Sequence, residues 1–195
     1  MEQRFYDMVE ANPVIAAIKD MDGLEQCCRV SDIKVVFILY GDICNITDIV
    51  RKIKEAGKIA IVHVDLIAGL SCKEVAVDFI RQHSRADGII STKPSMIRRA
   101  KELGLYTVMD LYTTLRVFVL DSMAFENIEK QLVSVKPDFI EVLPGVMPKI
   151  IRKVCKRVRT HLIAGGLISD KEDVMAALDA GAIAVSSTNQ KVWLM

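Results

Sequence analysis

Residues 34–65 read KVVFILYGDICNITDIVRKIKEAGKIAIVHVD. The run Lys34-Val35-Val36-Phe37-Ile38-Leu39-Tyr40 is apolar after its lysine and rich in β-branched and aromatic residues, the composition of a strand. Residues 46–56 read as a helix, and Gly57 closes it, because glycine accepts the left-handed backbone that ends many helices. Ile59-Ala60-Ile61-Val62-His63-Val64-Asp65 is a strand again. Neither strand alternates apolar with polar residues, as expected when both faces of a sheet are covered. A strand, a helix and a second strand in this order form a βαβ unit with parallel strands.

The same pattern continues on both sides. Residues 13–18 form a first strand, followed by a short helix at 22–30. After residue 65 come a helix at 72–83, a strand at 88–92, a helix opened by Pro94 and ending at Gly104, and a fifth strand beginning at 105–108. The stretch after it is the least regular. A helix at 122–135, a strand at 138–143, a basic helix after Pro148, a strand at 161–164, a helix at 171–180 and a strand at 183–186 complete the chain. Eight strand–helix repeats in order favour closure into a small, compact (β/α)8 TIM barrel of the α/β class, a parallel closed sheet forming one domain over residues 1–195. The rival is an open doubly wound sheet, which usually carries a glycine-rich loop after its first strand. Here that strand ends Ile18-Lys19-Asp20, without glycine.

Composition narrows the class further. Lys and Arg number 26 against 25 Asp and Glu, a net charge of +1, so no global field draws the chain to nucleic acid or an acidic membrane. Any RNA contact requires a local patch. The five cysteines, Cys27, Cys28, Cys44, Cys72 and Cys155, are odd in number and show no C-x-x-C spacing, which suits reduced thiols in the cytoplasm. His63, His83 and His161 are far apart, so no metal site is expected. The first residues lack the apolar core of a signal peptide, and no apolar run approaches the roughly 20 residues that span a bilayer. A soluble cytoplasmic protein without a membrane partner follows as the expectation.

In such a barrel the C-terminal ends of the strands converge on one mouth. Ala164-Gly165-Gly166-Leu167-Ile168 follows the seventh strand and Ser186-Ser187-Thr188-Asn189 the eighth. Many barrels cradle a phosphate between these two loops, where glycines let backbone N–H groups approach the oxyanion. Gly165, Gly166, Ser186, Ser187 and Thr188 are therefore the expected phosphate-binding residues. The alternative for the glycine pair is a tight strand-to-helix turn.

Lys19, His63, Asp65, Lys93 and Glu141 fall at other strand ends and are candidate contacts to a hydroxylated ligand. On a continuing strand His63 and Asp65 share a face. They could bind hydroxyls or act as an acid/base pair, or serve as a core histidine with a structural aspartate. Lys19 and Lys93 suit a phosphate or a Schiff base, or are solvated strand-end charges. Glu141 points opposite to Ile140, into the barrel, where it meets a hydroxyl, a cation or a structural network.

After Pro148, the residues Lys149, Arg152, Lys153, Lys156 and Arg157 recur at one helical face, with Ile150, Ile151, Val154, Cys155 and Val158 on the other. Such a stripe can track the phosphates of RNA; it can equally be the solvated face of an outer helix.

Several segments together identify a family. They are Asn12-Pro13-Val14-Ile15-Ala16-Ala17, His63-Val64-Asp65-Leu66-Ile67-x-Gly69-Leu70 and Gly88-Ile89-Ile90-Ser91-Thr92-Lys93. Three more are the run 136–145 (KPDFIEVLPG), the run 163–168 (IAGGLI), and 182–189 (AIAVSSTN) with Trp193. On these the chain resembles the glycerol uptake operon antiterminator regulatory proteins along almost its whole length. The resemblance implies a barrel that senses glycerol-3-phosphate and binds leader mRNA of glycerol-utilisation genes to prevent premature termination, with no cofactor. Oligomeric state is left open, a homo-oligomer included. One departure is an insertion of about six residues, Met109-Asp110-Leu111-Tyr112-Thr113-Thr114, at the fifth strand near the mouth. It bears on that strand's register and on any ligand role for Arg116. The competing readings are a barrel enzyme acting on a phosphorylated triose or polyol, of aldolase, isomerase or prenyl-transfer type, and a barrel without chemistry that serves as an interaction module.

Overall fold

A computed structural model describes residues 2–111 and 122–195. Eight parallel strands form a closed barrel in sequence order: β1 (Val14–Ile18), β2 (Val35–Ile38), β3 (Ile59–His63), β4 (Gly88–Ser91), β5 (Tyr106–Asp110), β6 (Phe139–Val142), β7 (His161–Gly165) and β8 (Ala184–Ser187). β8 closes on β1 with Ile15 opposite Ser186, so the (β/α)8 architecture is complete. Helices α2 (Met21–Arg29), α3 (Ile46–Glu55), α4 (Val75–His83), α5 (Pro94–Glu102), α6 (Ser122–Val135), α7 (Pro148–Cys155) and α8 (Lys171–Asp179) lie between successive strands. Among the described residues no helix is long and apolar enough to cross a membrane.

The absence of alternation in the strands has a direct cause. Val36 and Ile38 face the helices while Val35 and Phe37 fill the barrel, and all four are buried. On the outer side α3 presents Ile46, Ile49, Val50 and Ile53, the i, i+3, i+4, i+7 stripe of a helix docked on a sheet. Each such side chain contributes about 1.5–3 kcal/mol on full burial.

An additional helix, α1 (Glu2–Ala11), precedes the barrel and closes its N-terminal end. Phe5 and Val9, one turn apart, are buried against the barrel interior. The Phe5 ring lies 4.3 Å from that of Phe139 and 5.4 Å from that of Tyr106, centroid to centroid. These rings fill the interior of the barrel at its N-terminal end.

Two aspartates just ahead of strands serve as backbone acceptors. Asp87 Oδ2 accepts from Ala60 N at 2.8 Å and from Lys54 Nζ at 2.6 Å. Asp138 Oδ2 accepts from Thr107 N at 2.8 Å and from Thr107 Oγ1 at 2.7 Å, while Asp138 N donates back to Thr107 Oγ1 at 2.9 Å. Asp138→Ala leaves the Thr107 donors without that carboxylate and is expected to lower stability by about 1–3 kcal/mol. Urea unfolding checks it; a midpoint equal to that of the parent chain would show that the bonds contribute nothing.

Three boundaries differ from the sequence reading. β3 ends at His63, and Val64–Leu66 form a 3-10 turn, so Asp65 leaves the strand. The helix expected from residue 72 begins at Val75, leaving Cys72 exposed in a bend. β5 runs on to Asp110, so Met109 and Asp110 of the insertion extend the strand, and Leu111 N donates to Glu141 O at 2.9 Å. Residues 112–114 of the insertion and Arg116 lie outside the described residues.

Candidate functional site at the barrel mouth

A cavity of about 550 Å³ opens at the C-terminal end of the strands. Its floor is made by the last inward-facing side chains, His63 of β3, Asp110 of β5, Glu141 of β6 and Ser186 of β8. Its rim carries Leu39, Leu66, Leu143 and the turn Gly166-Leu167-Ile168-Ser169, with Thr188 beside it. A hollow of similar size, about 570 Å³, lies at the opposite end around Tyr6, Arg159 and His161. The mouth is the better site candidate because buried titratable groups converge there.

The floor is a short polar network in an apolar wall. Ser186 Oγ donates to Glu141 Oε1 at 2.6 Å, and His63 Nε2 lies 3.5 Å from Asp110 Oδ2. His63 Nδ1 is buried and has no hydrogen-bond partner among the described residues. Burial pushes the Glu141 carboxyl up to about 7; the Ser186 hydrogen bond opposes this, the Asp110 charge reinforces it and His63 opposes it.

The phosphate-type elements reach the mouth in altered roles. Gly166, Ser186, Ser187 and Thr188 line the cavity, but Gly165 does not. A Cβ on Gly165 would fall 2.3 Å from Glu141 Oε1 and 2.6 Å from Ser186 Oγ. Its lack of a side chain therefore makes room for the Glu141–Ser186 pair rather than for a ligand. The Ser187 hydroxyl is also engaged, donating to Ile168 O at 2.7 Å and accepting from Asn189 N at 3.0 Å. Trp193 Nε1 donates to the carbonyl of the same residue at 2.8 Å. Exposed Thr188 and the backbone N–H groups of Gly166 and Leu167 hold no acceptor among the described residues. Gly166 and Leu167 are both left-handed, with φ of 76° and 63°, a rare backbone for leucine that clusters at ligand clamps.

The expected hydroxyl contacts divide. His63 and Glu141 lie on the floor; Lys19, Asp65 and Lys93 do not line the cavity. Asp65 and His63 do not share a face, because the 3-10 turn carries Asp65 toward the β4–α5 connection. There it accepts from Ser91 Oγ at 3.0 Å, Thr92 N at 2.7 Å, Thr92 Oγ1 at 3.0 Å and Lys93 Nζ at 3.3 Å. Burial alone would raise its carboxyl, but those hydrogen bonds and the Lys93 charge hold it below the usual range. Asp65 thus fastens the start of α5. Lys93 is held above its ordinary value by Cys72 and Asp65, the wrong direction for a Schiff-base lysine. Lys19 is exposed at the end of β1.

Asp110 was not among the expected residues. It follows Tyr106 and Val108 at the period of two that points side chains into the barrel, and that alternation would have revealed it.

On the outside, Lys149, Arg152 and Lys153 belong to α7, whereas Lys156 and Arg157 lie just beyond its last residue. All five are exposed, while Ile151 and Val154 are buried and Ile150, Cys155 and Val158 half-buried. Among the described residues no cluster of His, Cys, Asp or Glu could hold a metal ion.

A closed barrel of eight parallel strands, with a left-handed turn after β7 and a polar floor at its C-terminal mouth, places the chain in the class of small (β/α)8 barrels. Within it, residues 14–193 match the family model described as glycerol-3-phosphate responsive antiterminator, and the chain belongs to that family. It is 46% identical over 188 residues to the uncharacterized protein YgcP of Escherichia coli (strain K12), a match covering 96% of this chain and 95% of that one. A glycerol uptake operon antiterminator regulatory protein from Listeria monocytogenes has a crystal structure similar to it at a TM-score of 0.85, with 30% identity over 94% of this chain and 95% of that one. A glycerol uptake operon antiterminator-related protein from Thermotoga maritima is similar at 0.76, with 32% identity over 93% of this chain and 98% of the other.

Proposed function

We propose that this chain is a cytoplasmic, single-domain transcription antiterminator that takes glycerol-3-phosphate in its barrel mouth and binds leader mRNA of glycerol-utilisation genes. The observation that carries the reading is the mouth itself, on a chain whose membership of the antiterminator family spans nearly its full length. A phosphate at the rim would meet the N–H groups of Gly166 and Leu167 and the Thr188 hydroxyl, with the glycerol end on the floor. RNA would meet the exposed stripe of Lys149, Arg152, Lys153, Lys156 and Arg157, by backbone phosphate contacts that weaken as salt rises. The protein acts as a regulator in this reading, not as an enzyme.

Calorimetric titration with glycerol-3-phosphate and leader-RNA binding with and without it test the proposal. The expected result is effector binding in the parent chain and at least about tenfold weaker binding in Gly166→Val, whose β-branched side chain disfavours the left-handed turn and crowds the rim. Absence of both effector and RNA binding at low salt would overturn it. One observation favours a second reading, an enzyme acting on a phosphorylated triose or polyol. A buried carboxyl near neutrality beside a histidine and a second carboxyl is equipment for general acid–base catalysis. Turnover of a glycerol-phosphate or triose-phosphate substrate, lost in Glu141→Gln with binding retained, would establish that alternative.

A further inference from the structure

Helix α7 starts on the mouth side of the barrel, at Pro148, and descends to the N-terminal end, because each helix of a (β/α)8 barrel returns antiparallel to its strands. The basic stripe that begins at Lys149 therefore ends, at Lys156 and Arg157, on the bottom of the molecule, roughly 12 Å further along the helix axis. Two hollows open there. One, of about 430 Å³, sets Lys136, Arg157 and Arg159 around the apolar Leu132, Val133 and Val158. The other, of about 570 Å³, has Tyr6, Asp138, Phe139, Arg159 and His161 in its wall. Pro137, Arg159 and Thr160 belong to both, so the hollows adjoin, with Arg159 at the junction.

Charge and aromatic surface are laid out separately along this face. Lys136 and Arg159 are exposed, and neither forms an ion pair with a described residue. Lys136 has a left-handed φ of 50°, a backbone that glycine takes more easily, so a long cation stands where a smaller residue would be less strained. Of the two acids in the walls, Asp138 has a side chain only 9% exposed and is taken up by Thr107 and Lys101, which leaves Glu129. Beyond Arg159, the rings of Tyr6 and His161 lie 5.1 Å apart, centroid to centroid, tilted by 50°. Tyr6 is half-buried, and its hydroxyl has no hydrogen bond to a described residue; His161 is exposed.

Cations that lead to aromatic rings suit a polyanion whose flat bases are free to stack. A duplex keeps its base faces covered, whereas an unpaired nucleotide can turn its base out onto a ring. We infer that these two hollows dock single-stranded RNA, with Lys136, Arg157 and Arg159 on the backbone phosphates and an unpaired base against Tyr6 and His161. This rests on the reading of the chain as an RNA-binding regulator. It carries the stripe of α7 onto the N-terminal face and places the RNA at the end of the barrel opposite the effector mouth, so that both ligands fit at once.

Fluorescence anisotropy on the full chain tests the site, with a labelled single-stranded leader RNA of about 12 nucleotides and the same sequence as a duplex. At physiological salt the parent chain is expected to bind the single strand at least about tenfold more tightly than the duplex. Tyr6→Ala should weaken the single strand at least about fivefold without changing the salt dependence, and Tyr6→Phe should retain binding. Arg159→Gln should weaken it too and flatten the slope of log Kd against log salt by about 0.7, the loss of one phosphate contact. Because Arg159 is exposed, that variant keeps the readout should Tyr6→Ala loosen α1. Single-strand binding that neither folded variant alters overturns the site, leaves the RNA-binding reading standing, and returns the hollows to a protein or small-molecule occupant. Equal binding of strand and duplex overturns the stacked base. Binding of neither RNA by the parent chain overturns the reading and the site with it.

Discussion

Gly88→Ala is expected to cost at least about 3 kcal/mol of stability, at the upper end of what overpacking a core produces. Gly88 opens β4 and lies opposite Tyr106 of β5. A Cβ there would come within 2.5 Å of both Tyr106 Cβ and Tyr106 O, and within 2.9 Å of Ile61 Cδ1. The isoleucine tip could turn away, but a backbone carbonyl in a strand cannot move without breaking the pairing that closes the barrel. Urea unfolding measures the effect. Trimming the neighbour, as in the double variant with Tyr106→Ala, should not restore stability, since the obstructing oxygen is main chain. A single variant within about 0.5 kcal/mol of the parent would mean that β4 and β5 can separate at low cost.

The second large effect is a pH dependence centred on Glu141. Its carboxyl rises from an ordinary value of 4.5 to about 7 in the folded chain, chiefly through burial. The folded state therefore holds a proton that the unfolded chain releases over the interval between these values. Stability is fully present below pH 4.5, falls as pH rises toward 7, and is flat above, a total of about 3 kcal/mol. Glu141→Gln removes the titrating group. The stability of the parent chain minus that of the variant should decline across this window, and a difference constant with pH would rule out the buried proton. The groups facing Glu141 that shift it are Ser186, Asp110 and His63, and the acid Asp110 and base His63 act in opposite senses.

The architecture was legible because it depends on burial of both strand faces. Runs such as 35–39 and 59–62 stay apolar whichever way each residue points, so composition alone reveals them. Strand ends are different, because there a single capture decides the path. At Val64-Asp65 the sequence alternation continues, yet Asp65 takes four donors from the next strand's end and the chain turns there. At Met109-Asp110 the opposite happened: residues read as inserted continue the ladder and deliver an acid to the site. The glycine and serine loops after β7 and β8 were recognisable by residue type, whereas the engagement of their hydroxyls was not. Ser186 is committed to Glu141, 45 residues earlier in the chain, and no local pattern records such a partner. Helix α1 went unread because its anchors, Phe5 and Val9, are too few to announce a docking face before the barrel floor they fill is known.

The contact between Trp193 and Ser187 has a practical side. The chain has a single tryptophan, and its indole N–H is bonded to the residue whose hydroxyl holds the rim turn at Ile168. That residue also follows Ser186, the partner of Glu141. The one strong intrinsic fluorophore of the molecule is thus wired to both the lip and the base of the mouth, so the protein carries its own optical gauge of what happens there.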